Sequence, residues 1–468
     1  MSDNYRTEKD SLGEIKVPAD AYYGAQTQRA VDNFPVSDLR FPRRFIQALG
    51  LIKQSAAVVN TDLGLLDNEI SEAIIKASQY VIDGDLDEQF VLDIFQTGSG
   101  TSTNMNANEV IANYASELMG ADRGSKKVHP NDHVNMSQSS NDVIPSAMHV
   151  AAKRAIHEDL LPAMKAFQDE LEGKATKFDD VLKSGRTHLM DATPIRLGQE
   201  FGGYARQIEL NTERIRGAAE ELSELALGGT ATGTGINCPV EFPGKVISRV
   251  SDVTGLQFHE AENHFEAQAA KDAYVSTAGA LNTLATGLMK MANDIRWLSS
   301  GPTSGLSEIK LPVIQPGSSI MPGKVNPVMS ESMMMVSARV MGHMNTITIC
   351  NQQGNFQLNV MMPVMAHAML ESILILANVL EAFRTRCLMG IEANRERCKE
   401  LLELNPSIAT ALNQAIGYDK AAEVAKKAAS ERKPVTQVVR EMDLMSDEEL
   451  ENALDVRSMT EPGIPGKN

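Results

Sequence analysis

The sequence predicts a mainly α protein in three parts, organised around a central bundle of long helices. Three observations carry this prediction. Apolar residues recur at spacings of three and four over unusually long stretches, proline is missing from the interior of those stretches, and extended signals are confined to short pieces. Shifts in pattern fall near residues 139 and 395. They divide the chain into a mixed, mostly helical N-terminal domain (1–139), a central long-helix bundle domain (140–395) and a small C-terminal helical domain (396–468).

The first part opens with an extended piece at Ile15-Lys16-Val17-Pro18. Helical periodicity follows from Phe45 to Leu66 and from Glu69 to Ile82. Two polar, helix-poor stretches come next, Gln96–Asn104 and His129–Asp142. Their Ser, Thr, Asn and Asp side chains suit a carboxylate ligand and suit helix N-termini equally, so both readings stay open at this level.

In the central part, Thr193-Pro194 places a capping hydroxyl and a proline where a helix can open, extending to about Leu227 and stopped by Gly228-Gly229. Between His264 and Leu298 two apolar stripes run together. One is Tyr274, Ala278, Leu281, Ala285, Leu288, Ala292 and Ile295; the other is Thr277, Leu284, Met291 and Leu298. Two seams on one helix ask for neighbours on more than one side and point to an oligomer. Long helices are also expected over Val328–Thr348 and Val364–Met389, where Met333, Met334, Met335, Met341 and Met344 either fill gaps in the core or meet another subunit. Beyond Asn394 the helices become short and charged, Ser446-Asp447-Glu448-Glu449 is a capping box, and the tail Glu461–Asn468 is expected to fray.

Composition narrows the function. With 44 Lys and Arg against 61 Asp and Glu, the net charge is −17 and no basic stripe is visible, which excludes nucleic acid as a partner. An anionic substrate must be drawn by local positive charge. Cys238, Cys350, Cys387 and Cys398 show no metal-ligand or CxxC spacing, which reads as a reduced, intracellular set and argues against a cysteine-ligated cluster. Met1–Arg6 resembles neither a signal nor a transit peptide, and no uninterrupted run of about 18 apolar residues suggests a membrane span. A cytoplasmic protein is expected; a processed organellar form would read the same.

The chemistry converges on one loop, Gly317-Ser318-Ser319-Ile320-Met321-Pro322-Gly323-Lys324-Val325-Asn326-Pro327. It carries hydroxyls, an ammonium and an amide between glycine and proline breaks, the groups needed to hold a carboxylate and move a proton. His188 sits in a second polar turn, Gly185–Pro194, and Glu331 opens the helix after the loop, where it is suited to polarising an imidazole or to offsetting the helix dipole.

The loop resembles the signature of the fumarase/aspartase superfamily. Gly24–Arg29, Gln96–Asn104, His129–Asp142, Ala226–Ala231 and Gly417–Ala422 are similar to class II fumarases and in part to aspartases, and the likeness extends over roughly residues 5–440. Histidine after Thr187 is the fumarase choice, where aspartases typically carry glutamine; an ammonia-lyase acting on L-aspartate is the alternative.

The resemblance implies the three-domain fold of that superfamily and a hydro-lyase of the tricarboxylic acid cycle. Such an enzyme adds water reversibly, with anti geometry, to fumarate to give L-malate through an aci-carboxylate carbanion, with no metal or other cofactor. It implies Ser318 as base and His188 with Glu331 on the opposite face. Ser99, Gly100, Thr101, Ser139, Ser140, Asn141, Thr187, Ser319, Lys324, Val325 and Asn326 would bind substrate. It also implies a second dicarboxylate site at His129, Pro130, Asn131 and Asp132, where position 126 is Lys rather than the Arg of some relatives. Finally, it implies a homotetramer whose active sites are each shared among three subunits.

Overall fold

In a computed structural model, which describes residues 5–463, the chain forms seventeen α-helices and ten short strands among the described residues. The tail expected to fray lies largely outside them, at residues 464–468. Strands β1 (Tyr5–Asp10) and β2 (Gly13–Pro18) pair as an antiparallel hairpin. Helices α1 (Ala25–Asn33), α2 (Arg43–Asp62), α3 (Asn68–Asp83), α4 (Thr101–Leu118), α5 (Ser140–Ala155) and α6 (Leu161–Lys177) follow. A second antiparallel hairpin, β3 (Leu182–Thr187) with β4 (Met190–Arg196), leads into α7 (Leu197–Glu221), α8 (Phe242–Thr254), α9 (His264–Ala269) and α10 (Asp272–Leu298). The remaining helices are α11 (Val328–Asn351), α12 (Met362–Arg386), α13 (Arg395–Glu403), α14 (Asn413–Ile416), α15 (Tyr418–Glu431), α16 (Val435–Glu441) and α17 (Asp447–Ala453). Six two-residue strand segments and six short 3-10 or π-helical turns complete the list of regular elements among the described residues.

By proximity the residues form two compact units, which group the chain by space rather than by order. The first comprises residues 1–162, 211–285 and 336–378; the second comprises 163–210, 286–335 and 379–468. In the first unit α2 packs on α3, α5 and α8, around Phe45, Leu49 and Ile52, all fully buried. Asp67 caps α3 by accepting from the N–H groups of Glu69 and Ile70, and Gly84 closes that helix at φ 97°. In the second unit the β3–β4 hairpin packs on α13, and Val424, Val438 and Val439 centre a small core shared by α15, α16 and α17. Ser446 and Glu449 form the expected capping box of α17.

Two helix boundaries differ from the sequence expectation. Thr193-Pro194 does not open a helix: Pro194 lies in β4 opposite Ser184, and α7 begins three residues later at Leu197. A proline is tolerated there because the ladder is irregular between Ser184 and Arg186. Helix α7 also ends at Glu221 rather than near Leu227, since Glu224 and Leu225 are taken by a parallel pairing with His259 and Glu260. Both apolar stripes of α10 are buried within the single chain. They therefore do not of themselves require a second subunit. Helix α12 is long and apolar enough to cross a membrane, but 72% of its most apolar window is buried, so that surface is used in packing.

Helix α1 shows how termini are held. Its free amides at Gly24, Gln26 and Thr27 donate to the buried carboxylate of Glu109 at 2.9–3.1 Å, the Thr27 hydroxyl adds a 2.6 Å bond, and Ala25 N–H donates to Glu8. Every orphan donor of the first turn is thereby paired. A side chain at position 24 would stand 2.6 Å from Glu8 Oε2, which accounts for glycine there. Glu109→Ala would strand these donors in a buried site, and urea unfolding is expected to show a loss of about 3 kcal/mol or more.

Candidate active site

In the first unit the two polar stretches of the sequence meet. Ser99 Oγ and Thr101 Oγ1 are 2.7 Å apart, and Thr101 Oγ1 is 2.8 Å from Ser140 Oγ, so the N-termini of α4 and α5 are joined by a chain of hydroxyls. Gly100 caps α4 in the left-handed region, φ 74°, and a Cβ there would meet Ile144 at 2.9 Å. Ser139 caps α5 in a capping box with Asp142. Two adjoining helix N-termini lined with hydroxyls form a donor-rich cradle for an anion.

Asp142 organises this cradle. It is fully buried and accepts from the backbone N–H groups of Ser139 (2.9 Å), Gly228 (3.0 Å) and Thr230 (3.0 Å), while Asn141 Nδ2 donates to Ala231 O at 2.8 Å. Burial, the largest influence, raises its carboxyl above the usual carboxylate range, and the donated backbone bonds and the Lys53 charge oppose that rise. The Ala226–Ala231 stretch is thus the strap that fixes the Ser139–Asn141 turn.

Pro130–Val134 form a single π-helical turn of the same unit, capped at its N-terminus by His129. His129 Nδ1 accepts from Asn131 and Asp132 N–H at 3.2 and 3.1 Å, leaving Nε2 as the donor of the neutral ring. This turn borders a cavity of about 450 Å³ that Lys9, Gln26 and Lys126 also line, and Lys126 Nζ donates to Lys9 O at 3.1 Å.

In the second unit, Thr187 and His188 lie at the exposed tip of the β3–β4 hairpin. The two turn residues, His188 and Leu189, have φ 55° and 61°. This is the double left-handed turn that normally selects Asn-Gly, and holding His and Leu there stores strain at a histidine the sequence singles out. The hairpin is anchored from inside. Arg186 forks onto Glu308 at 2.7 and 3.0 Å, and Lys183 lies 3.0 Å from Glu200 and 3.3 Å from Glu308, with Lys183 and Glu308 buried.

The 317–327 loop is closed at its base. Gly317 N–H donates to Lys324 O at 2.9 Å and Asn326 Nδ2 donates to Gly317 O at 2.6 Å. A Cβ on Gly317 would lie 2.3 Å from Lys324 O. The tip stands free, with Ile320 83% exposed, and Ser319, Lys324 and Val325 are exposed as well. Ser318 Oγ accepts two backbone bonds, from Ile320 N–H at 3.3 Å and Met321 N–H at 3.1 Å. Residues Gly323–Pro327 line a cavity of about 670 Å³ together with Arg296, Trp297 and Lys310.

Glu331 is exposed in the first turn of α11. Among the described residues no hydrogen bond joins it to His188. The anion cradle and the 317–327 loop belong to different units. No group of three or more His, Cys, Asp or Glu side chains among the described residues is arranged to hold a metal ion.

With this geometry in view, the comparisons are decisive. Residues 13–342 match the family model described as Lyase, and residues 408–461 match the one described as Fumarase C C-terminus. The chain is 55% identical over 464 residues to "Fumarate hydratase class II" of Halobacterium salinarum, covering 99% of each. The chain belongs to the class II fumarase family. Members from Mycobacterium tuberculosis and Thermus thermophilus are 52% and 50% identical, with 98% of this chain covered in both cases and 96% and 99% of the relatives. Among solved structures, the class II fumarase of Schistosoma mansoni superposes with a TM-score of 0.95 at 39% identity, covering 98% of this chain and 99% of the other. A fumarate lyase:delta crystallin from Brucella melitensis bound to cobalt gives 0.94 at 43%, covering 98% and 100%. In this hydro-lyase family the mainly helical fold expected from the sequence is the shared one.

Sequence reading passed over three contributors: Asp142 as the strap's anchor, the Arg186–Glu308 fork, and the backbone against Gly98. Gly98 accepts from Met362 N–H at 3.0 Å, and a Cβ there would fall 1.7 Å from Val360 O. Neighbours so distant in sequence leave no local signal. Gly98→Ala must therefore displace the Ser99–Thr101 turn. KM for the substrate is expected to rise at least about tenfold, a binding loss of about 1.4 kcal/mol, and steady-state kinetics on the purified variant would measure it.

Proposed function

We propose that the chain is a fumarate hydratase that adds water reversibly, with anti geometry, to fumarate to give L-malate. The family match carries the substrate, and the hydrogen bonding of Ser318 carries the mechanism. A serine hydroxyl is a poor base in water. As an alkoxide it is stabilised by any donors already aimed at its oxygen, and the Ile320 and Met321 amides are so aimed. In the dehydration direction Ser318 takes the proton from the carbon beside one carboxylate. The charge then spreads into that carboxylate as the aci form, where Lys324, Asn326, the Val325 N–H and Ser319 provide stabilisation.

His188, polarised by Glu331, handles the water or leaving hydroxyl on the opposite face. Thr187, Ser99, Gly100, Thr101, Ser139, Ser140 and Asn141 hold the two carboxylates. In this reading the site is completed by three subunits of a homotetramer, which is how His188 would acquire Glu331 as a partner. His129, Pro130, Asn131 and Asp132, with Lys126 nearby, form a second dicarboxylate site. No metal or other cofactor is assigned to the reaction, the chain retains its three-domain order, and the enzyme serves the tricarboxylic acid cycle in the cytoplasm.

Ultraviolet absorbance tests the reading directly, because fumarate's conjugated double bond absorbs where L-malate and L-aspartate do not. Purified protein without added metal is expected to raise absorbance with L-malate alone. A rise with L-aspartate alone would transfer the chain to the ammonia-lyases. Ser318→Ala is expected to lower kcat about a thousandfold or more while sedimentation shows the assembly intact; near-normal turnover would mean another group is the base.

A further inference from the structure

Lys53 lies among the anion cradle's surroundings and has no part in the mechanism above. It lies on the buried face of α2, in line with Ile46, Leu49 and Ala56, and it is wholly enclosed. Its Nζ donates to Asn135 Oδ1 at 2.9 Å and to Gln138 Oε1 at 3.0 Å. Asn135 Oδ1 also accepts from Asn104 Nδ2 and Asn108 Nδ2, at 3.2 Å each, and these stand on α4, the helix opened by the Ser99–Thr101 turn. Further along α2, Asn60 donates to Met136 O at 3.1 Å and accepts from Ser137 Oγ at 2.9 Å, with Ser137 held at φ 65°. Residues 135–138 are therefore tied to α2 and α4 from beneath, and the next three residues are Ser139, Ser140 and Asn141.

A neutral side chain of similar length would fill the same space, so the ammonium needs a reason. Burial pulls its pKa down to about 7, and the opposing influence is Asp142 on α5. The groups facing Lys53 from the 135–138 turn and, through Asn135, from α4 are neutral amides. Helices α3 and α8, which also pack on α2, add no charged partner among the described residues.

We infer that Lys53 is a positioning residue that sets the two carboxylate-holding turns and carries a proton linked to dicarboxylate binding, an inference that rests on the function proposed for those turns. A bound dianion adds negative charge beside Lys53 and favours its protonated form, so binding takes up a proton. Reciprocally, affinity falls as pH rises through about 7, where the free enzyme's Lys53 gives up that proton.

The test follows KM and kcat for L-malate from pH 6 to 9 in the full-length enzyme and in Lys53→Met. Wild-type KM is expected to rise about tenfold across this range. In Lys53→Met it should begin about tenfold higher at pH 6 and stay flat, with kcat within about threefold of wild type. A purely structural role would leave the pH slope unchanged. A variant that keeps the wild-type slope, or that loses kcat with KM unmoved, would overturn the inference.

Calorimetry of the wild type with succinate at pH 7.5, in two buffers of different ionisation heat, gives a second reading that does not depend on the variant folding. Proton uptake is expected, and none would overturn the linkage. Absence of both succinate binding and turnover would overturn the functional reading itself and the inference with it, an outcome distinct from binding without proton uptake.

Discussion

Backbone amides at buried helix ends must find acceptors, and in the first unit a few buried carboxylates supply them. Glu109 and Glu8 take the first turn of α1, and Asp142 takes both the cap of α5 and the amides of Gly228 and Thr230. A carboxylate that accepts from several segments at once fixes the direction of each one it touches. Gly24 then follows from crowding around those contacts, since a Cβ there would lie 2.6 Å from Glu8 Oε2, whereas Gly228, at φ 104°, is crowded by Pro243. The hydroxyl chain from Ser99 to Ser140 exists because the two helix ends that bear it have no freedom left.

The second unit uses charge differently. Lys183, Arg186 and Glu308 form a largely buried ionic group behind the β3–β4 hairpin. Buried ion pairs contribute little net stability against an apolar alternative, because desolvation offsets most of the attraction. They do discriminate sharply between one arrangement and its neighbours. The fork on Arg186 acts only two residues from the exposed hairpin tip that carries His188.

Much of this was legible in the chain. The long helices, the α17 capping box, the turn around His188 and the two polar stretches followed from periodicity and cap chemistry, and the loop at 317–327 stood out by its breaks. Other features were hidden for identifiable reasons. Thr193-Pro194 satisfies every local rule for a helix start, yet strand pairing with Ser184 outweighs it. The two stripes of α10 were accurate as burial and carry no information on assembly, because one chain covers both. Lys53 drew no notice within the periodic stretch from Phe45 to Leu66, because its partners Asn135 and Gln138 are some eighty residues away. The remaining site depends on contacts between residues tens or hundreds of positions apart, such as Gly98 against Val360, which no local pattern records.

The His188–Leu189 turn has a consequence for how this protein tolerates redesign. Two non-glycine residues in left-handed backbone cost of order 1 kcal/mol each, so any procedure that ranks substitutions by foldability will favour Asn-Gly at this tip. It would obtain a firmer hairpin and erase the imidazole at the same stroke. On the role proposed for His188, selection for heat resistance and selection for turnover would pull in opposite directions at these two positions.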